Sequence, residues 1–187
     1  MRQILAPLSL LMCLALLLAC SAPRGGQPHS ELDDLFMRLR ATASVDEAHH
    51  IELAIMHEWA NSGKPEVDVL MLHGIEMAHT GELDGALQIL DRVVQLAPAF
   101  AEGYNQRALI HAMRDEYGEA LDDIQRVLVI EPRHFSALAG LGHILLLYDR
   151  DEAALHAFEA ALAINPYLDA VRDEVMRLRD RLSGQPV

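Results

Sequence analysis

Lysine is almost absent from the chain. Lys64 is the only one among 15 basic residues, set against 28 acidic residues, and the formal net charge is −13. A protein that reads nucleic acid must supply Lys and Arg to displace phosphate counterions, so this balance argues against that class. It also disfavours adsorption to anionic lipid headgroups. Its ordinary consequence is a soluble surface. Aromatic residues amount to 5%, while Ala and Leu dominate, a composition that favours helices over sheets. Cysteine is scarce as well, with two in the chain, Cys13 and Cys20. No G-x-S-x-G and no phosphate-cradling glycine loop occurs, so nucleophilic catalysis has nothing to start from.

What is present begins with an export signal. Arg2 is followed by an apolar run from Ile4 to Ala19, interrupted by Pro7 and Ser9. That is shorter than the ~20 residues needed to span the hydrocarbon core, and it reads as a cleaved signal over 1–19 rather than a stable membrane helix. Its end, Leu17-Leu18-Ala19-Cys20, resembles the lipobox of bacterial lipoproteins. In that family cleavage leaves the cysteine as the new N-terminus, carrying acyl chains. The resemblance makes Cys20 the lipidation site, and Ser21 after it implies the outer membrane. Cys13 would leave with the signal, so the mature chain would hold no disulfide and no Cys-ligated metal. The rivals are an ordinary secretory signal cut after Ser21 or Ala22, and an uncleaved anchor. Residues 20–29, rich in Pro, Gly and small polar residues, read as a flexible tether.

A period of 34 runs through the remainder. It relates Pro98, Pro132 and Pro166; Gly74, Ala108 and Gly142; and Ala86, Ala120 and Ala154. Leu90, Ile124 and Phe158 keep the same step, as do Val93, Val127 and Ala161, and Leu96, Ile130 and Ile164. Each copy contains two apolar-periodic stretches separated by a turn at Thr80-Gly81-Glu82, Arg114-Asp115-Glu116 or Asp149-Arg150-Asp151. Small residues in the first two columns let paired helix backbones approach closely, and the proline ends the second helix.

This pattern resembles the tetratricopeptide repeat, with a small residue at position 8, Ala at 20 and Pro at 32. The resemblance predicts an all-α solenoid of helical hairpins. It has three repeats over 67–168 (67–100, 101–134 and 135–168), an N-terminal helical hairpin over 30–66 and a C-terminal capping helix and tail over 169–187. Helices are expected near 67–79, 83–96, 101–113, 117–130, 135–147 and 151–164. The sequence departs from the family at position 11, usually aromatic but here Met77, His111 and Leu145. It departs again at position 7, where His73 and Arg107 precede Leu141, so repeat two is expected to pack its first helix less tightly.

In the segment before the repeats, Ser30 can cap a helix bearing Leu32, Leu35, Phe36 and Leu39. Ser44 with Glu47 forms a capping-box pattern for a second helix bearing Ala48, Ile51, Ile55 and Trp59, stopped by Asn61–Pro65. This hairpin is expected to cap the array, with a degenerate repeat as the alternative, and Trp59 is read as core. After the repeats, 167–182 places Leu168, Val171, Val175, Leu178 and Leu182 on one face, with charge on the other.

The histidines do not assemble a metal signature. His57-Glu58 begins like a zinc-protease motif, but Asn61 stands where the second His must be. Asp122 and Asp123 read as a solvated face. No cofactor and no enzymatic activity is predicted. What remains is surface. In the family, first helices line a concave groove through positions 2, 5, 9, 12 and 13. Carried over, these are Asp68, Met71, Ile75, Ala78 and His79; Glu102, Asn105, Leu109, Ala112 and Met113; and Ser136, Ala139, His143, Leu146 and Leu147. The expected partner-binding set is Asp68, Met71, Ile75, Glu102, Asn105, Leu109, Ala112, Ala139, His143 and Leu146, with Asn105 foremost because its amide can pair with a peptide backbone. The basic clamp that chaperone-binding members place on a terminal carboxylate is missing. The groove is therefore expected to be apolar-floored and acidic-rimmed, favouring apolar or basic segments. The alternative is that the protein's own cap or tether fills it.

The functional expectation is a lipid-anchored module of the bacterial envelope, on an outer membrane and facing the periplasm, binding or scaffolding envelope proteins through its concave face. One alternative is a permanently buried subunit of an envelope assembly. The other, from a different class, is an envelope enzyme or metal carrier.

Overall fold

The computed structural model describes residues 31–184. The signal at 1–19, Cys20 and the tether at 20–29 lie outside the described residues. Among those described, every regular element is an α-helix: α1 (Glu31–Ala41), α2 (Val45–Trp59), α3 (Pro65–His79), α4 (Leu83–Leu96), α5 (Ala101–Met113), α6 (Tyr117–Ile130), α7 (Phe135–Leu147), α8 (Asp151–Ile164) and α9 (Asp169–Leu182). The pairs α3–α4, α5–α6 and α7–α8 are the three repeat hairpins, and α9 packs on α8. The fold is the all-α helical-hairpin solenoid that the period implied. The repeat helices begin and end at the expected residues, except that α3 starts at Pro65. Proline suits a first helical turn because its missing N–H would find no intrahelical partner there.

The columns of small residues are close-approach points. Ala86, Ala120 and Ala154 are completely buried. A Cβ added at Gly142 would stand 2.5 Å from the Phe158 ring, so the two columns fit as hole and knob within one repeat. This register yields a stability prediction. Ala120→Leu should lower stability by about 1–3 kcal/mol through overpacking, whereas exposed Asp122→Leu should leave the melting temperature nearly unchanged. Equal shifts in a thermal melt would contradict the register.

The turns inside the repeats share a pivot. Gly81, Asp115 and Asp149, one repeat apart, hold φ at 84°, 61° and 54°. The third turn therefore centres on Asp149, and α8 begins at Asp151, the expected residue. Left-handed backbone favours glycine. Asp149→Gly is accordingly expected to stabilise the fold by a few tenths to about 1 kcal/mol, measurable as a raised denaturation midpoint.

The two helices of the first hairpin form as anticipated, while the Ser30 cap lies outside the described residues. Ser44 Oγ accepts the Glu47 amide at 3.3 Å, and Leu35, Phe36, Leu39, Ala48, Ile51, Ile55 and Trp59 are all buried. The reciprocal half of the capping box runs through Thr42, whose hydroxyl donates to Glu47 at 2.7 Å and accepts the Ser44 amide at 3.1 Å. Its location differs from expectation. The buried residues of α1 and α2 share one apolar cluster with Phe135, Phe158, Val171, Val175 and Leu178 of α7, α8 and α9. The buried residues of α3 and α4 form a different cluster. The hairpin therefore does not cap the repeat next to it in sequence. It crosses to the far end of the array and buries its apolar face with α7, α8 and α9.

Candidate functional site

The crossing is held by named contacts. The Trp59 indole stacks flat on the His134 ring, with centroids 4.1 Å apart and planes 9° from parallel, and tilts against Phe135 at 4.9 Å. Arg133 reaches Asp33 at 2.7 Å, and its guanidinium lies 4.4 Å from the centre of the Phe36 ring. Tyr167 donates its hydroxyl to the Thr42 carbonyl at 2.6 Å. His134 sits at the start of α7 because its Nδ1 accepts the Ala137 amide at 3.2 Å, capping that helix. That bond assigns the ring proton to Nε2, which donates to Glu102 on α5 at 2.9 Å. One buried imidazole thus ties together α2, α5 and α7.

With the hairpin so placed, the concave face divides into two joined hollows. The first, a chamber of about 670 Å³, lies between the end of α2 and the first helices of the repeats; Trp59, Asn61, Asp68, Met71, Ile75, Glu102, Asn105 and Gln106 are among its walls. The second, a slot of about 480 Å³, opens between α5 and α7, lined by Asn105, Ala108, Leu109, Ala112, Met113, Tyr117, Ile124, Gly140, His143, Ile144 and Leu147. Asn105 and Ser136 border both. Ala108, Ala112 and Gly140 line the slot with small groups, and a Cβ added at Gly140 would meet the Ile124 side chain at 3.7 Å, ordinary van der Waals contact.

The residues singled out from the sequence separate into three groups. Asp68, Met71, Ile75, Glu102 and Asn105 come together in the chamber, with Met71 buried at its base. Asn105, Leu109, Ala112 and His143 meet in the slot, where Leu109 is 54% exposed and His143 lies edge-on to Phe158 at 5.0 Å. Ala139 and Leu146 line neither hollow. They pack against the cluster that contains the hairpin, so the protein's own N-terminal helices belong to the packing around the third repeat. Glu102 is not a bare rim acid. It accepts from Gln106 at 2.6 Å and from Asn105 at 3.2 Å as well as from His134. Asn105 therefore uses its amide protons on Glu102, leaving its side-chain carbonyl for any ligand backbone.

Sequence reasoning missed the hairpin's part in the chamber, and it missed Asp123. That residue does not lie on a solvated face; only its neighbour Asp122 does. Asp123 is 4% exposed and takes a two-pronged ion pair from Arg107, at 2.8 and 2.6 Å, while Arg107 also reaches Asp91 on α4 at 2.7 Å. The bond to Asp123 raises the Arg107 pKa above its ordinary value, outweighing the opposite pull of burial. His111 stands 4.0 Å from Asp123 and binds Glu116 at 2.8 Å; that hydrogen bond, then Arg114, holds the Glu116 carboxyl below its usual range. The departures from the repeat pattern in repeat two, Arg107 and His111, are thus anchored, and α5 is clamped to α4 and α6 rather than loosened. A signal was present, since copy two is where an arginine in column 7 coincides with an acid in column 23, Arg107 with Asp123.

Among the described residues no three or more His, Cys, Asp or Glu side chains converge as a metal site, and no helix is long and apolar enough to cross a membrane.

No family model matches the chain. It is 34% identical over 157 residues to a TPR repeat-containing protein of Rhizobium etli, covering 84% of this chain and 77% of that one. Protein bimA of Emericella nidulans is 28% identical over 73% of this chain, but the match spans only 17% of that protein. Among solved structures, MamA superposes with a TM-score of 0.57 at 21% identity, over 80% of this chain and 79% of that one. The first TPR domain of Spaghetti, bound to an HSP90 peptide, gives 0.60 at 17% identity over 63% and 93%. The period, the paired helices and the relative from Rhizobium etli agree, and the chain belongs to the tetratricopeptide repeat family.

Proposed function

We propose that this protein is a binding module that holds a segment of another protein in its concave groove, and that it does so while anchored by lipid at Cys20. The observation that carries the binding role is the pair of joined hollows along the first helices of the repeats, with Leu109, Met113 and Leu147 exposed beside them. Large exposed apolar side chains clustered in a concavity mark an interaction site rather than ordinary surface. Support for the anchor is the Leu17–Cys20 pattern and the short apolar run before it. Several acyl chains, at ~0.8 kcal/mol per buried methylene, would hold the protein firmly on a membrane. On this reading the protein scaffolds partners at the bacterial envelope, on the periplasmic side of the outer membrane. Catalysis has no part in it.

Crosslinking the tagged protein in native cell envelopes tests both halves. A variant changed together at Asn105, Leu109 and His143 should lose the captured partners while staying folded. Retention of every partner would favour a permanently assembled subunit held by other faces. Cys20→Ser should move the protein from the membrane fraction to the soluble one; unchanged fractionation would remove the lipid anchor from the proposal.

A further inference from the structure

The two hollows differ in chemistry. The chamber wall carries two carboxylates, Asp68 and Glu102, and no lysine or arginine. Nearby cations are committed elsewhere: Lys64 donates to the Leu96 carbonyl at 2.7 Å, and Arg107 holds Asp91 and Asp123. Glu102 is surrounded by neutral donors, which satisfy its oxygens and leave its charge. Asp68 accepts the Ser62 amide at 2.9 Å through one oxygen, and its other oxygen has no partner among the described residues. The slot, by contrast, is bordered by Ala108, Leu109, Ile124, Ile144 and Leu147, with no formally charged side chain in its lining.

We infer that the groove takes an extended stretch of a partner protein that places a lysine or arginine side chain in the chamber and a bulky aliphatic or aromatic side chain in the slot. This rests on the concave-face reading above and adds the class of ligand. A cation entering the chamber meets the open oxygen of Asp68 and the unneutralised charge of Glu102. A charge-assisted hydrogen bond of this kind is stronger than a neutral one. The apolar anchor displaces water from the aliphatic part of the slot wall, Ala108, Leu109, Ile124, Ile144 and Leu147. Geometry sets the spacing. Glu102 and Leu109 are seven residues apart on α5, roughly 10 Å at ~1.5 Å per residue, which an extended chain covers in about three residues. Asn105 lies between the two and offers its side-chain carbonyl to the ligand backbone. The hairpin supplies the outer wall of the chamber through Trp59 and Asn61, so the preference for a cation depends on its being docked.

The test is a phage-displayed library of random ten-residue peptides panned against the full-length protein. Winners are then measured by fluorescence anisotropy against the wild type, Asp68→Asn and Leu109→Ala. Asn at 68 keeps the acceptor for Ser62, and Leu109 is exposed, so both variants should fold. The expected winners pair Lys or Arg with Leu, Ile, Met or Phe about three positions away. Asp68→Asn should weaken them roughly tenfold and flatten their salt dependence, and Leu109→Ala should weaken them at every salt concentration. Winners that are apolar without a basic residue, or indifferent to Asp68, would overturn the cationic subsite and leave the concave-face reading standing. Winners ending in an acidic tail would overturn the inference outright. If no peptide responds to Leu109, the groove reading itself fails.

Discussion

A chain carrying Trp59→Ala is expected to lose about 3 kcal/mol of stability and to release its N-terminal hairpin. Trp59 is 8% exposed and touches Phe36, His134 and Phe135, so truncation removes the centre of the interface between α2 and α7. Large aromatic-to-alanine changes in a core fall at about 3–5 kcal/mol. Hydrogen exchange should report it directly, with protection falling in α1 and α2 well before it falls in the repeats. Trp59→Phe provides the control. The indole N–H is buried without a hydrogen-bond partner among the described residues, and its loss relieves a desolvation cost while a ring still faces His134. That variant should therefore sit within about 1.5 kcal/mol of the wild type. A hairpin that stays protected in Trp59→Ala would mean that Arg133, Tyr167 and the apolar cluster hold it without the stack.

Asp123→Ala should be comparably damaging, at about 3 kcal/mol, by a different route. It leaves the Arg107 guanidinium against α6 with only Asp91, which is half-exposed, as counterion. Breaking one side of a buried ion pair strands a charge, whereas replacing both partners with apolar residues is often neutral. The double variant Arg107→Leu with Asp123→Ala matches what repeat three carries at the equivalent positions, Leu141 and Ala157, and should recover most of the loss. Thermal melts of the two single variants and the double variant form a mutant cycle. A double variant as unstable as the sum of the singles would show that the two side chains act independently.

These cases mark what could be read in the sequence. The repeat helices were legible because their order is local: apolar spacing, a small residue where backbones meet and a proline at each end are all written within one 34-residue unit. The helices of the first hairpin were legible for the same reason, down to the buried face of α2. Where that hairpin goes was not. Nothing near Trp59 says that His134 will lie beneath it, because the match is between surfaces 75 residues apart. Asp123 was misjudged because position alone places it beside a solvated residue; its burial follows from Arg107 across the repeat. The candidate groove was half legible. Its first-helix positions followed from the resemblance, but the chamber wall contributed by α2 and the slot beside Gly140 required the assembled fold.

The crossing hairpin has a further consequence for how the molecule comes apart. A solenoid is a row of units, each leaning on its neighbours, and it frays from whichever end is weakest. Here Asp33 is bonded to Arg133, and Thr42 to Tyr167, so the segment before the row is stitched to the row's far end. Among the described residues, the end left uncovered is the first repeat, α3 and α4, whose buried residues form a cluster apart from the hairpin's. The terminal helix α9, which in an open array would melt first, packs on α8 within the same apolar cluster as α1 and α2. Fraying should then begin at α3 and α4 rather than at α9, and refolding should be slower than in an open array of the same length, because its last contacts close long loops.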